Sequence, residues 1–273
     1  MLLKSILSLF FIVFSLNITL AQSADETIFM QKMKLAKGET KAQTAITIAK
    51  SFIGKPYKAG TLEGNSKEQL VCNLRDFDCS TFVENVIAMS LINHAGSPTF
   101  EKYKNQLTEL RYRNGIVQGY ASRLHYFKEW IIQAEQNDVL QDITSKIGGI
   151  KQKKSLNFMT SNRELYPNLK DETSFLAIKE YQKKINEFDF YYIPKWKLEK
   201  VENQIQDGDI IAITSNVDGL DFNHEGFAIR QNGRVYLLHA SYEQKKVIIS
   251  KELLVDYLNR IHKHSGISVL RLF

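Results

Sequence analysis

From Phe82 onward apolar residues recur at Phe82, Val83, Val86, Ile87 and Leu91, the spacing of a helix that lays one stripe against a core. Asp78 stands where an N-cap is wanted, which puts Cys79 in the first turn. A competing capping box from Thr81 to Glu84 would leave Cys79 just outside the helix. Upstream, 26–36 and 41–52 read as helices, the second with Ala45, Ile46, Ile48, Ala49 and Phe52 near one face and Gly54-Lys55-Pro56 as its stop. Between Ser97 and Asn137 two further helical patterns are broken at Arg113-Asn114-Gly115, and the later one opens at 122–126. Its apolar side carries Phe127, Trp130, Ile131 and Ala134. The lysine-rich span 137–203 yields only a helix over 172–185 and a strand over 188–193. From Gly208 the texture changes to short strands at 209–213, 225–230, 235–240 and 246–250, then a helix over 251–261 and a strand over 266–272. The pattern predicts an α+β domain with a small antiparallel sheet or barrel, and residues 97–203 as a helical insertion that shapes a cleft.

The first residues change the picture of where this domain works. Lys4 precedes an uncharged apolar run from Ser5 to Leu20 that ends at a small residue, Ala21, the layout of a secretory signal peptide over 1–21. The domain is then 22–273, exported to a periplasmic or extracellular compartment. No cysteine near the cut offers a lipid anchor and the apolar run is short for a retained span, so no stable membrane anchor is expected. The net charge of +6 drops by one when Lys4 leaves, which favours anionic partners such as cell-wall fragments. Basic residues are scattered among acids and no nucleic-acid motif accompanies them, so no nucleic-acid partner is expected.

The chain has two cysteines, Cys72 and Cys79. At a helix start, unpaired amides and the helix dipole favour a thiolate, so Cys79 reads as a nucleophile. The competing readings are a small buried hydrophobe or a short-loop disulfide to Cys72, which would tie up that sulfur. A base is found at the other end of the chain. Asn232-Gly233 marks a two-residue hairpin, and if Gln231 faces Arg234, then Gly226 lies opposite His239 and His224 opposite Ser241, all on one face. The two histidines are then diagonal neighbours, about 7–8 Å apart at Cα. His224 suits a general base and His239 the group that fixes its tautomer, with backbone N–H groups at the helix start for the oxyanion. This layout needs no cofactor. Zinc held by Cys79 and the two histidines is the alternative, whereas His262 and His264 look like a solvated turn after a helix. Arg111 and Arg123 near His125 and Tyr126 would suit a carboxylate or sugar. Tyr57, by spacing alone, is a packed loop aromatic.

Together, Pro56-Tyr57-Lys58-Ala59-Gly60, Asp78-Cys79-Ser80, Asp207-Gly208-Asp209, His224-Glu225-Gly226 and His239-Ala240-Ser241 resemble, in order, the motifs of NlpC-type papain-like cell-wall hydrolases. Thr61-Leu62-Glu63, Thr81-Phe82-Val83-Glu84, Arg111-Tyr112-Arg113-Asn114-Gly115 and Ser122-Arg123-Leu124-His125-Tyr126 look like their N-acetylmuramoyl-L-alanine amidase-like branch. The resemblance implies a permuted papain-like fold with the catalytic helix packed on a small β-barrel. It makes Cys79 the nucleophile, His224 the base and His239 the third member, brings Tyr57 near the oxyanion, and leaves Asp78, Ser80, Arg111, Arg123, His125, Tyr126 and Ser241 as surrounding substrate contacts. It implies as partners peptidoglycan fragments, including anhydro-sugar forms, cut at the amide between the lactyl group of N-acetylmuramic acid and L-alanine. A D-glutamyl-diamino acid endopeptidase and a non-catalytic cell-wall binding module are the alternatives.

Overall fold

A computed structural model describes residues 24–65 and 67–273. The signal peptide expected over 1–21 lies outside the described residues. The architecture is mixed α+β around one antiparallel sheet, ordered β2-β3-β8-β4-β5-β6-β7, with β1 also paired to β8. Its strands are β1 (Leu140–Asp142), β2 (Ile150–Lys151), β3 (Tyr191–Pro194), β4 (Ile210–Ser215), β5 (Phe222–Gln231), β6 (Arg234–Ser241), β7 (Lys246–Ile249) and β8 (His264–Leu272). The strand-rich end, expected to form a small antiparallel sheet or barrel, forms an antiparallel sheet with β2 and β7 at opposite ends of that order. The outer edge of β7 is covered by the loop before the cysteine helix, where the Gly54 amide donates to Val247 and the Val247 amide to Lys55.

Helices fall on both faces of the sheet. On one lie α1 (24–33), α2 (Lys41–Lys50), α3 (Cys79–Ala95), α4 (Phe100–Arg111) and α5 (Phe127–Gln136), burying Phe82, Val83, Val86 and Ile87 against Ile210, Phe227, Ile229 and Leu238. Fully burying such side chains stabilises by about 1.5–3 kcal/mol each. Helix α3 was expected to show one apolar stripe, yet it is buried from Thr81 to Ser90 without a break, because α2, α4 and the sheet surround it. On the other face α8 (Lys195–Val201) and α9 (Leu254–Arg260) cover Ile211, Ile213, Ala228 and Leu237. Most of 97–203 is therefore built into the common core and sheet. Only a small lobe formed by α6 (Phe158–Ser161), α7 (Glu172–Ile185) and the turns between them has its own cluster, around Leu156, Met159, Leu169, Ile178 and Ile185.

The hairpin follows the expected register, with Gln231 opposite Arg234 and Phe227 opposite Leu238. Asn232 and Gly233 take φ of 51° and 80°, the paired left-handed conformations that an Asn-Gly turn supplies. A Cβ at Gly226 would come within 2.8 Å of the His239 Cβ, so a glycine is what lets the second histidine approach β5.

Candidate active site

Asp78 caps α3 and Cys79 is its first residue. The Asp78 carboxylate accepts from the Thr81 amide at 2.8 Å and Thr81 Oγ1 accepts from the Asp78 amide at 3.1 Å, a reciprocal box that fixes where the helix begins. The alternative box through Glu84 does not form, since Glu84 receives Arg111 Nε at 2.7 Å. Intrahelical bonding starts with the Phe82 amide donating to the Asp78 carbonyl, so the amides of Cys79 and Ser80 precede the ladder. Cys72 and Cys79 are both free thiols.

His224 Nε2 lies 2.6 Å from His239 Nδ1, with the rings edge to face at 86°. That bond takes up Nε2 and leaves His224 Nδ1 for another partner. Glu225, the next residue along β5, accepts from Ser80 Oγ and so ties the helix start to the strand that carries His224. Tyr257 on α9 packs its ring against both His224 and His239. Tyr57 is set beside this group by two short backbone pairings, Lys58 amide to Phe77 carbonyl and Tyr57 amide to Lys245 carbonyl. Burial, then the nearby Cys79 and Asp78, hold its phenol protonated far beyond the usual range.

The electrostatics work against the helix field. A helix dipole contributes about 0.3–1 kcal/mol, at best roughly 2, toward a thiolate. Burial of a charge moves a pKa by as much as about 3–5 units, or roughly 4–7 kcal/mol, where it is complete, and Cys79 is partly shielded from solvent. Burial pushes the Cys79 thiol well up, and the carboxyls of Glu225 and Asp78 add to it, against the Glu225 amide and Ser80. Burial also drives His224 well below the ordinary histidine range, with His239 and His264 reinforcing it, while burial takes His239 down to about 4. Both shifts run toward the neutral thiol and the neutral imidazole.

The other residues singled out in the sequence separate into groups. Ser80 donates to the Glu225 carboxylate, directly beside Cys79. Arg111 is 1% exposed and spent on Glu84 and the Val71 carbonyl, so it stands under the helix and does not face a ligand. Ser241 Oγ accepts from the Gln244 amide and serves the β6–β7 turn. Arg123, also buried, reaches Glu63 at 2.8 Å. His125 lies against Tyr120, and Tyr126 uses its hydroxyl on Gln182 and the Met159 amide; both rings line a separate cavity of about 700 Å³. His264 is no solvated turn residue, being 4% exposed against Tyr257. Among the described residues no group of three His, Cys, Asp or Glu side chains converges as a metal site.

Sequence reading missed Glu225 and Tyr257. Glu225 is 3% exposed, and burial, against the Ser80 bond and with Asp78 and Asp221 nearby, raises its carboxyl to about 8. Its place next to His224 was a usable signal, but a strand neighbour normally points away. Tyr257 had none, since only packing brings α9 over the histidines.

Among curated protein sequences no match is found. Among solved structures, a Bacteroides uniformis N-acetylmuramoyl-L-alanine amidase is 34% identical, with a TM-score of 0.80 over 85% of this chain and 99% of its own. A Bacteroides fragilis protein solved under the description of a xylanase is 39% identical, with a TM-score of 0.77 over 82% and 99%. A Legionella pneumophila protein at 22% identity shares the fold, with a TM-score of 0.72 over 93% and 95%. The sequence profile of N-acetylmuramoyl-L-alanine amidase-like proteins matches residues 47–267, so the chain belongs to that family.

Proposed function

We propose that this protein is an exported cysteine amidase of the NlpC-type permuted papain-like class. It hydrolyses the amide between the lactyl group of N-acetylmuramic acid and L-alanine in peptidoglycan fragments, anhydro forms included, without a cofactor. The observation that carries this reading is the 2.6 Å bond between His224 Nε2 and His239 Nδ1, on the strand whose next residue, Glu225, is bonded to Ser80 at the start of the cysteine helix.

With the Nε2 proton donated to His239, the His224 Nδ1 lone pair is free to take the thiol proton as Cys79 Sγ attacks the carbonyl carbon. The amides of Cys79 and Ser80, with the Tyr57 hydroxyl, are donors for the oxyanion. Collapse breaks the C–N bond, and His224 passes its proton to the leaving amine, leaving a thioester. Water then attacks the thioester carbonyl, His224 taking its proton and returning it to sulfur, and the lactyl carboxylic acid departs. Because both shifts favour the neutral partners, the proton moves with the attack and not before it.

The endopeptidase alternative places a D-glutamyl residue, with its free carboxylate, on the acyl side of the cut. The Asp78 carboxylate beside the thiol disfavours that substrate. A xylanase reading needs two available carboxyls. Asp78 is engaged by Thr81 and Thr61, and Glu225 by Ser80.

The test is mass spectrometry of a defined disaccharide-peptide after incubation with the leader-free protein and with Cys79→Ser. Release of intact peptide, lost in the variant, is the expected result. Cleavage within the peptide would move the assignment to the endopeptidase. No product together with ligand binding that Cys79→Ala leaves unchanged would establish a binding module.

A further inference from the structure

The cavity of about 700 Å³ has two walls that lead to the reacting groups. One is the 61–65 loop, where Glu63 lines the cavity and Thr61 Oγ1 donates to Asp78, the cap of the cysteine helix, at 3.2 Å. The other is Leu220, on the approach to β5 and four residues before His224. Its third side is the α6–α7 lobe, through Met159, Leu165 and Tyr166.

The lining is chemically selective. Tyr120, His125, Tyr126 and Tyr166 bring ring surface, and Asn65, Asn168 and Glu63 bring hydrogen-bonding groups. Burial, with Arg123 adding to it, lowers His125 to about 3, so its ring is neutral across the working range. The charge of Arg123, the nearby cation, is balanced by Glu63 at 2.8 Å and Glu68 at 3.6 Å. Such a surface is poor for an anionic peptide and good for a neutral sugar, whose C–H faces lie on aromatic rings while its hydroxyls and acetamido groups meet amides. A second cavity, of about 450 Å³, begins at His239 itself and differs in kind. Arg260 there is paired with both Glu243 and Glu252, which leaves Lys246 and Lys251 as its uncommitted cations.

We infer that the aromatic cavity is the saccharide subsite and the charged one receives the peptide stem, so the acyl side of the scissile amide points toward the α6–α7 lobe. The inference rests on the amidase reading for which bond lies over Cys79, but sugar binding can be measured with no chemistry. The lobe then has a function: Tyr126 bonds Gln182 of α7 and the Met159 amide, fixing the lobe over the cavity.

The experiment uses leader-free Cys79→Ser protein and two probes, the N-acetylglucosaminyl-N-acetylmuramic acid disaccharide with its lactyl carboxyl capped as the methylamide, and the peptide L-alanyl-D-glutamyl-diamino acid. Saturation-transfer NMR titrations report each affinity. Tyr166→Ala should weaken the disaccharide about fivefold to tenfold and leave the peptide unchanged. Lys251→Ala, in the charged cavity, should do the reverse. Leu165→Glu, at a side chain 61% exposed, is the second cavity variant and should lower disaccharide affinity without loss of fold. A disaccharide that gives no signal at millimolar concentration, or that binds Tyr166→Ala and Leu165→Glu as well as the parent, overturns the subsite. So does a peptide whose affinity falls in the cavity variants. Intact disaccharide binding in this cavity beside a wild-type protein that cleaves no muropeptide would remove the amidase reading and leave the subsite standing.

Discussion

Two buried polar clusters flank α3, and they are built on opposite rules. Beneath and beyond the helix, each arginine has a carboxylate: Arg111 with Glu84, Arg113 with Glu129, Arg123 with Glu63. At the helix start, by contrast, Cys79, Asp78 and Glu225 crowd together, with Ser80 as the side-chain donor to Glu225 and with histidines held neutral by burial. Compensated buried charge reads as scaffold. Uncompensated buried groups with displaced pKa values are where a protein keeps strain that chemistry uses. The arginines looked like ligand contacts in the sequence because charge alone does not reveal its partner.

Variants can break this contrast, and the largest effect should come from the nucleophile. Cys79→Ser should lower amidase kcat/KM by more than about 10⁴-fold with Tm unchanged; a Tm drop of the size seen for core truncations would make Cys79 scaffold. His239→Ala should cost about 10²–10⁴-fold in kcat, because His224 loses the partner that fixes its tautomer. Arg111→Ala should do the opposite. It strands Glu84, lowers stability by about 3–5 kcal/mol, and leaves turnover per folded molecule near wild type; a kcat loss without a stability loss would return Arg111 to the site.

Titration sharpens the comparison further. Since His224 and His239 are pushed down by burial, the base stays unprotonated at lower pH than an ordinary histidine, and the acid limb of kcat/KM should lie well under about 6.5. Iodoacetamide labelling of Cys79 should rise only above the free-thiol range near 8.5. Fast labelling at pH 6 would mean a preformed ion pair. The Glu225 carboxyl, raised to about 8, binds a proton in the folded chain that the unfolded chain has lost above its ordinary range near 4.5. Stability from this group is therefore present at low pH and falls as pH rises through that window. Glu225→Gln should exceed wild type in Tm by several degrees at pH 8, with the gap closing toward pH 4, and an equal gap at both would show that ionisation is not involved. The smallest effect belongs to the cap: Asp78→Ala should cost about 1 kcal/mol of stability, read from urea melts.

The amino-acid sequence by itself determined the cysteine at a helix start, the strands from Ile210 on, and the hairpin register that faces two histidines, because capping and Asn-Gly turn geometry are local. It also carried the family, through short motifs whose order survives in the chain. Residues 137–203 were legible at α7 and, with its start placed three residues early, at β3; β1 and β2 are two to three residues long and exist through pairing with β3 and β8. What tertiary structure decided was the chemistry's setting. It put Glu225 and Tyr257 beside Cys79 and the paired histidines, sent Arg111 into a buried pair, and set desolvation and two carboxyls against the dipole-favoured thiolate. Each of these depends on which groups far apart in sequence share one volume, which a local helix field does not reveal.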